Sequence, residues 1–102
     1  MARTRIVWTE RAKEGRRQIR DWIAKDASRT AARLEKRLIA EVNKLRRSPY
    51  LGAVLEDFGA PDVREFYFKT FRIIYRVSLP NVQILIVQRG AKQLRLRDLE
   101  QE

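Results

Sequence analysis

Apolar and polar side chains alternate along residues 70–77, which predicts a β-strand with two different faces. One face is apolar and predicts a core, and the other carries arginines. The apolar face comprises Phe71, Ile73, Tyr75 and Val77, and the opposite face comprises Arg72, Ile74 and Arg76. Turn-forming residues follow at 79–81. The β-branched and aliphatic run 82–87 then predicts a second strand, apolar on both sides, that completes a hairpin.

Two further strands are predicted outside this hairpin. Residues 63–68 are rich in aromatic and β-favouring side chains, and Lys69-Thr70 is short enough for a tight reversal into the next strand. At the other end of the chain, residues 3–8 place Ile6 and Trp8 on one side of a short strand. Three consecutive strands therefore form a meander, and one strand precedes the rest of the chain.

The intervening sequence has the apolar spacing of two helices. Thr9 is expected to cap a helix that runs to about residue 25, and Ser28 a second helix over 29–47. The short connector between them forces an antiparallel hairpin that covers one face of the sheet. Gly15 lowers helix propensity by about 1 kcal/mol, which indicates a close packing contact at that position.

The fold class is therefore α+β, with the order β-α-α-β-β-β and a small, mainly antiparallel sheet. A chain of 102 residues is expected to form one domain, residues 1–102. Residues 49–61 are expected to be a loop, and the tail after Gly90 has room for a short helix. The predicted core includes Trp22, Leu38, Val42, Ile73, Tyr75 and Ile84.

The absence of certain residue types limits the chemistry. The chain has no cysteine and no histidine, which excludes disulfides, the usual zinc sites and catalysis by imidazole. No metal or cofactor is expected. No apolar run approaches the roughly 18 residues of a membrane span, so a soluble, cytoplasmic protein is expected.

The net charge of +10 is unevenly distributed. Residues 64–97 contain eight basic residues and Glu65 as their single acid, which favours an acidic or polyanionic partner over a mixed-sign solubilising surface. The cations of the second helix are instead interpreted as a solvated face; they include Arg33, Lys36, Arg37 and Lys44. The loop acids Glu56 and Asp57, with Asp62, are candidates for holding nearby arginines in place.

Five local sequences accompany this order of elements: WTERA at residues 8–12, LRRSPYLG at 45–52, VREF at 63–66, FRIIYRV at 71–77 and IVQRGAK at 86–92. Together with the order of the elements, they resemble the RelE/ParE superfamily of toxins from type II toxin–antitoxin systems. The resemblance covers nearly the whole chain.

The resemblance implies one of two activities. ParE-like members inhibit DNA gyrase by binding, whereas RelE-like members cut messenger RNA on the ribosome. Arg89 stands where many members have histidine, and its permanent charge makes it a poor proton shuttle. We therefore favour the gyrase inhibitor. The alternatives are a ribosome-dependent endoribonuclease and an inactive relic of the family. The nuclease candidates would be Lys69, Arg72, Arg89 and Lys92.

The resemblance also implies a cognate antitoxin whose acidic C-terminal segment wraps the toxin. We expect the basic residues of the sheet to contact both the target and this antitoxin. These residues are Arg64, Arg72, Arg76, Arg89 and Lys92. Arg64 and Arg76 have an alternative role as structural partners of nearby acids, which leaves Arg72 and Arg89 as the stronger candidates.

Overall fold

The computed structural model describes residues 4–55 and 62–90, in which two helices pack on one face of a five-stranded sheet. The strand order is β1-β5-β4-β3-β2; β1 is parallel to β5, and the other neighbours are antiparallel. The elements are β1 Arg5–Trp8, α1 Glu10–Ala24, α2 Ser28–Asn43, a 3₁₀ turn Lys44–Arg46, β2 Ala53–Val54, β3 Val63–Phe68, β4 Phe71–Ser78 and β5 Asn81–Arg89. The predicted α+β fold is confirmed. None of the described helices is long and apolar enough to cross a membrane.

Thr9 joins the start of α1 to the sheet. Its side chain accepts a hydrogen bond from the backbone N–H of Ala12, as predicted for an N-cap, at 3.1 Å. Its hydroxyl also donates to the carbonyl of Ile84 at 2.8 Å. The corresponding prediction for Ser28 is wrong. Ser28 is the first residue inside α2, and the capping position belongs to Ala27, which makes no side-chain cap.

The main core lies between the helices and the sheet. Of the six residues predicted for it, five are at most 2% exposed: Leu38, Val42, Ile73, Tyr75 and Ile84. Trp22 is the exception and corrects the prediction, because 51% of its surface is exposed. The helical spacing placed Trp22 on the apolar side of α1. It lies near the end of that helix, however, beside a groove at the edge of the sheet.

A β-bulge gives the sheet a second, smaller core on the face away from the helices. Ile74 pairs with Ile86 and Tyr75 with Ile84, so Leu85 is an extra residue in β5. This outer face therefore carries more than the predicted cations, because Leu85 and Ile86 both join a buried apolar cluster there. The cluster comprises Leu55, Val63, Ile74, Leu85 and Ile86. The prediction that β5 is apolar on both sides is confirmed.

The predicted loop contains a short strand that the sequence did not indicate. Ala53 pairs with Glu65 and Val54 with Arg64, which adds β2 to the edge of the sheet. Two residues are too few to show a period-2 pattern, and so sequence alone does not detect this strand. The predicted C-terminal helix falls outside the described residues.

Gly15 makes the close packing contact that its position in α1 indicated. A Cβ atom at this residue would lie 2.1 Å from the carbonyl oxygen of Val87 in β5. Only a residue without a side chain allows α1 to approach the strand so closely. The contact fixes the position of α1 along the C-terminal part of β5.

Candidate functional site

Arg72 is held by an acid on the neighbouring strand. Its Nε atom donates to Oε1 of Glu65 at 2.6 Å, and the two side chains are only 15% and 20% exposed. Both lie on the outer face of the sheet, where the register places Glu65 opposite Ile74. A short, partly buried ion pair fixes the orientation of a guanidinium. Arg72 therefore presents a fixed and largely compensated charge.

Arg76 is held by an acid at the start of β3. Its Nε atom lies 3.2 Å from Oδ2 of Asp62, and the side chains are 34% and 49% exposed. The proposed role of the loop acids in holding arginines is thus confirmed for Asp62. Glu56 and Asp57 lie outside the described residues. Such an exposed pair contributes at most about 1 kcal/mol, so Arg76 can exchange Asp62 for a stronger partner.

Arg64 has a structural position. Because it pairs with Tyr75 across the strands, its side chain lies on the face of the sheet that carries the helices. The guanidinium donates to the carbonyl oxygens of Tyr50 and Gly52, at 3.1 and 2.8 Å, and lies 5.0 Å from the ring centroid of Tyr50. Arg64 thus ties the segment before β2 to the sheet.

Tyr75 anchors the same segment from within the core. It is fully buried, and its hydroxyl accepts a hydrogen bond from the backbone N–H of Gly52 at 2.8 Å. Burial raises the pKa of this phenol, an effect that the Gly52 hydrogen bond and the charge of Arg64 only partly oppose. The prediction that Tyr75 faces the core is confirmed, and its neutral phenol is unsuited to act as a base near neutral pH.

Arg89 lies on the helix side of the sheet, beside the exposed Trp22. It pairs with Phe71, so the bulge places it on the face opposite Arg72. Its guanidinium is 5.0 Å from the ring centroid of Trp22, within the range of a cation–π interaction. Together they border a groove of about 750 Å³ between α1 and the C-terminal part of β5. Other residues of the groove are Arg11, Glu14, Gly15, Gln18, Ile19, Ile86, Val87 and Gln88.

The residues named for a possible nuclease do not converge in the described structure. Arg72 and Arg89 project from opposite faces of the sheet. Lys69 lies in the tight turn between β3 and β4 with a φ of 56°, and its ammonium is 5.8 Å from the ring centroid of Phe68. Lys92 lies outside the described residues. Among the described residues, no group of acidic side chains could hold a metal ion.

The sequence reasoning missed Trp22 as a surface residue. Its signal was ambiguous, since an aromatic residue at helical spacing usually marks a core position. The observation that could have suggested the groove is the combination of Gly15 and Trp22 on one side of α1. They are seven residues apart, about two helical turns, and so lie on the same side of the helix.

The sequence of this chain matches a known family. The model of the family described as "ParE toxin of type II toxin-antitoxin system, parDE" matches residues 6–94. The chain belongs to this ParE toxin family. Membership of a two-component toxin–antitoxin family implies an antitoxin partner. No curated protein has a sequence that matches the chain.

A solved structure shares the fold of this ParE-type chain. It is described as "Chromosomal ParDE TA system from P. aeruginosa", and the superposition has a TM-score of 0.72 with 23% sequence identity. The match covers 84% of this chain and 95% of the other. At this identity the likeness extends to the arrangement of helices and strands.

Proposed function

We propose that this ParE-type toxin acts in the cytoplasm by binding DNA gyrase and stopping supercoiling, and that a cognate antitoxin neutralises it. One observation carries the choice of binding over catalysis. Of the groups on the described sheet that could move a proton, Glu65 is paired with Arg72 and Tyr75 is buried, which leaves the exposed Tyr67 and Lys69. Proton transfer needs an acid or base within reach of the reacting atoms. A surface of fixed arginines suits recognition instead.

We place the centre of the contact surface at Trp22 and Arg89. Tryptophan and arginine are the residues most often found to dominate binding energy at protein interfaces. Here an exposed indole and a guanidinium are stacked at the border of a groove, so burial by a partner would remove apolar area from water without ordering either side chain anew. Arg72 and Arg76 lie on the opposite face of the sheet, where in the proposal they form a second contact region. Lys92 stays a candidate outside the described residues, and Arg64 holds the segment before β2 in place.

The same groove suits the antitoxin. An acidic segment that folds on binding could pack an apolar side chain on Trp22 and Ile19 while a carboxylate pairs with Arg89. The net charge of +10 favours rapid association with such an acidic segment. Antitoxin and gyrase would then compete for one surface, which explains neutralisation without a conformational change in the toxin.

Two activity assays on the purified, antitoxin-free toxin separate the possible targets. We expect inhibited supercoiling of plasmid DNA by gyrase and intact messenger RNA on programmed ribosomes. Cut message together with unaffected gyrase would contradict the proposal and establish a ribonuclease. Uninhibited gyrase together with intact messenger RNA would indicate an inactive relic of the family.

A charge reversal tests the assigned surface. Arg89→Glu should raise the toxin concentration needed for half-inhibition of gyrase by about tenfold or more, since a misplaced charge at an interface costs on the order of 1.4 kcal/mol or more. The matched control is Arg5→Glu, an identical charge change at an exposed position of β1. Equal effects of the two variants would show that net charge, and not the groove, governs inhibition.

A further inference from the structure

A row of four cations on α2 has no acidic partner within the described residues. Arg29, Arg33, Lys36 and Arg37 follow one another at spacings of three or four residues, with Lys36 and Arg37 adjacent, so they share one side of the helix. All four are exposed. We call this set the basic stripe. It spans about 12 Å along the helix axis.

The basic stripe differs from the other helix in how its charges are paired. On α1, the cations Lys13, Arg17 and Arg20 each lie within 4 Å of an acid on the same helix. The acids of α2 are engaged elsewhere: Glu35 pairs with Arg16 and Arg20 on α1, and Glu41, one turn beyond Arg37, pairs with Lys44. Of the stripe residues, Arg37 contacts a ring, since its guanidinium is 5.5 Å from the centroid of Phe68.

This arrangement is unfavourable for an isolated helix. Like charges three or four residues apart destabilise a helix by a few tenths of a kcal/mol per pair. Arg29 also lies in the first turn, where the helix dipole favours an acid, and α2 has no acid there, whereas α1 has Glu10. Both costs disappear when an anionic partner lies along the stripe. The positive end of α2 and its four cations therefore form one continuous positive surface.

We propose that the basic stripe binds the phosphate backbone of duplex DNA without sequence preference. A row of cations about 12 Å long equals the width of the DNA major groove, so it can reach phosphates along one strand or on both sides of a groove. Arginine and lysine are residues that commonly contact phosphates, and all four members of the basic stripe are of these two types. In the proposal, the α2 cations interpreted from the sequence as a solvated face have a ligand as well.

The proposal stands independently of gyrase inhibition. The stripe lies on α2, whereas the groove with Trp22 and Arg89 lies between α1 and β5. A toxin that also holds DNA could approach an enzyme that acts on DNA while its groove remains open. The test uses free DNA, so its outcome does not depend on the target of the toxin.

The experiment measures binding of the full chain to a fluorescein-labelled 20-bp duplex by anisotropy, at 50 to 200 mM salt and with two unrelated sequences. We expect equal affinity for both sequences and a slope of log K against log[salt] of about −3.6, since four phosphate contacts contribute about 0.9 each. The stripe variant is Arg29→Gln, Arg33→Gln and Lys36→Gln together. It should reduce the magnitude of the slope by about 2 to 3 and weaken binding at 100 mM salt by at least about tenfold.

The matched control carries Lys13→Gln and Arg17→Gln in α1 together with Lys25→Gln at the C-cap of that helix. Both triple variants lower the net charge from +10 to about +7, and all six positions are exposed. Circular dichroism checks that each variant is folded. The control should bind DNA within about threefold of the unchanged chain.

Three results would overturn the proposal. Equal weakening by the stripe variant and the control would assign DNA binding to net charge. Unchanged binding by the stripe variant would place the DNA contact elsewhere. Displacement of DNA by an equal charge of poly-glutamate, with tighter binding of that polymer, would identify an acidic protein as the partner.

Discussion

For the replacement of Gly15 by alanine, helix propensity predicts a gain in stability, whereas the packing of α1 on β5 predicts a loss. Gly15 lies in the middle of α1, where alanine is favoured over glycine by about 1 kcal/mol. The new methyl group, however, would lie 2.1 Å from the carbonyl oxygen of Val87, a backbone atom that cannot rotate away. Relief of this overlap requires α1 and β5 to separate by about 1 Å, which opens the packed core on both sides.

The expected net effect is a loss of stability. Overpacking costs about 1–3 kcal/mol, and a collision between two backbone segments belongs at or above the upper end of this range. After subtraction of the gain in propensity, we expect Gly15→Ala to lower the free energy of unfolding by about 2 kcal/mol. The same displacement should also alter the groove between α1 and β5.

Urea unfolding followed by tryptophan fluorescence measures this change, since Trp8 and Trp22 lie near either end of α1. The control is Asp21→Ala, an exposed position on the same helix, which should change stability by no more than about 0.5 kcal/mol. A Gly15→Ala variant as stable as the unchanged chain, or more stable, would refute the close contact between α1 and β5.

Four other substitutions test the core and its anchors by the same unfolding measurement. The raised pKa of Tyr75 contributes stability that is present below the ordinary pKa of about 10 and lost as the pH rises through the higher folded value. Tyr75→Phe should therefore cost about 1–3 kcal/mol near neutral pH, by leaving the Gly52 N–H unpaired, and should make the decline in stability at alkaline pH shallower. An equally steep decline would contradict this. Trp22→Ala should cost clearly less than Ile73→Ala, for which about 2–5 kcal/mol is expected; equal costs would return Trp22 to the core. Thr9→Ala should cost about 1–2 kcal/mol by removing the cap and the bond to β5, and an unchanged midpoint would show that neither bond matters.

The parts of the fold predicted from sequence are those with strong periodicity. Strict alternation in β4 identified the strand and the burial of Ile73 and Tyr75, and the helical spacing in α2 identified Leu38 and Val42. These patterns are local and repeat several times, so one exception does not obscure them. The capping role of Thr9 was also predictable, because its chemistry depends only on the residues directly after it.

The features that were missed depend on contacts distant in sequence. The exposure of Trp22 follows from where α1 ends relative to the sheet, which its own spacing does not reveal. The second core needs Leu55 and Val63 to meet Ile74 across three strands. The pairing of Arg72 with Glu65 depends on the register of two strands, and so the sequence indicated a free cation where the structure has a compensated one.

The extra residue Leu85 has a consequence for comparing this chain with its relatives. Since it is left out of the regular pairing, a relative with a β5 strand shorter by one residue there would keep every later side chain on its present face. A relative of equal length with a regular ladder would instead turn its counterpart of Arg89 to the face of Arg72, and that of Gln88 toward the helices. The placement of a gap at this one position in an alignment thus decides whether aligned residues lie on the same face of the sheet. Two toxins with identical residues here could therefore recognise different antitoxins.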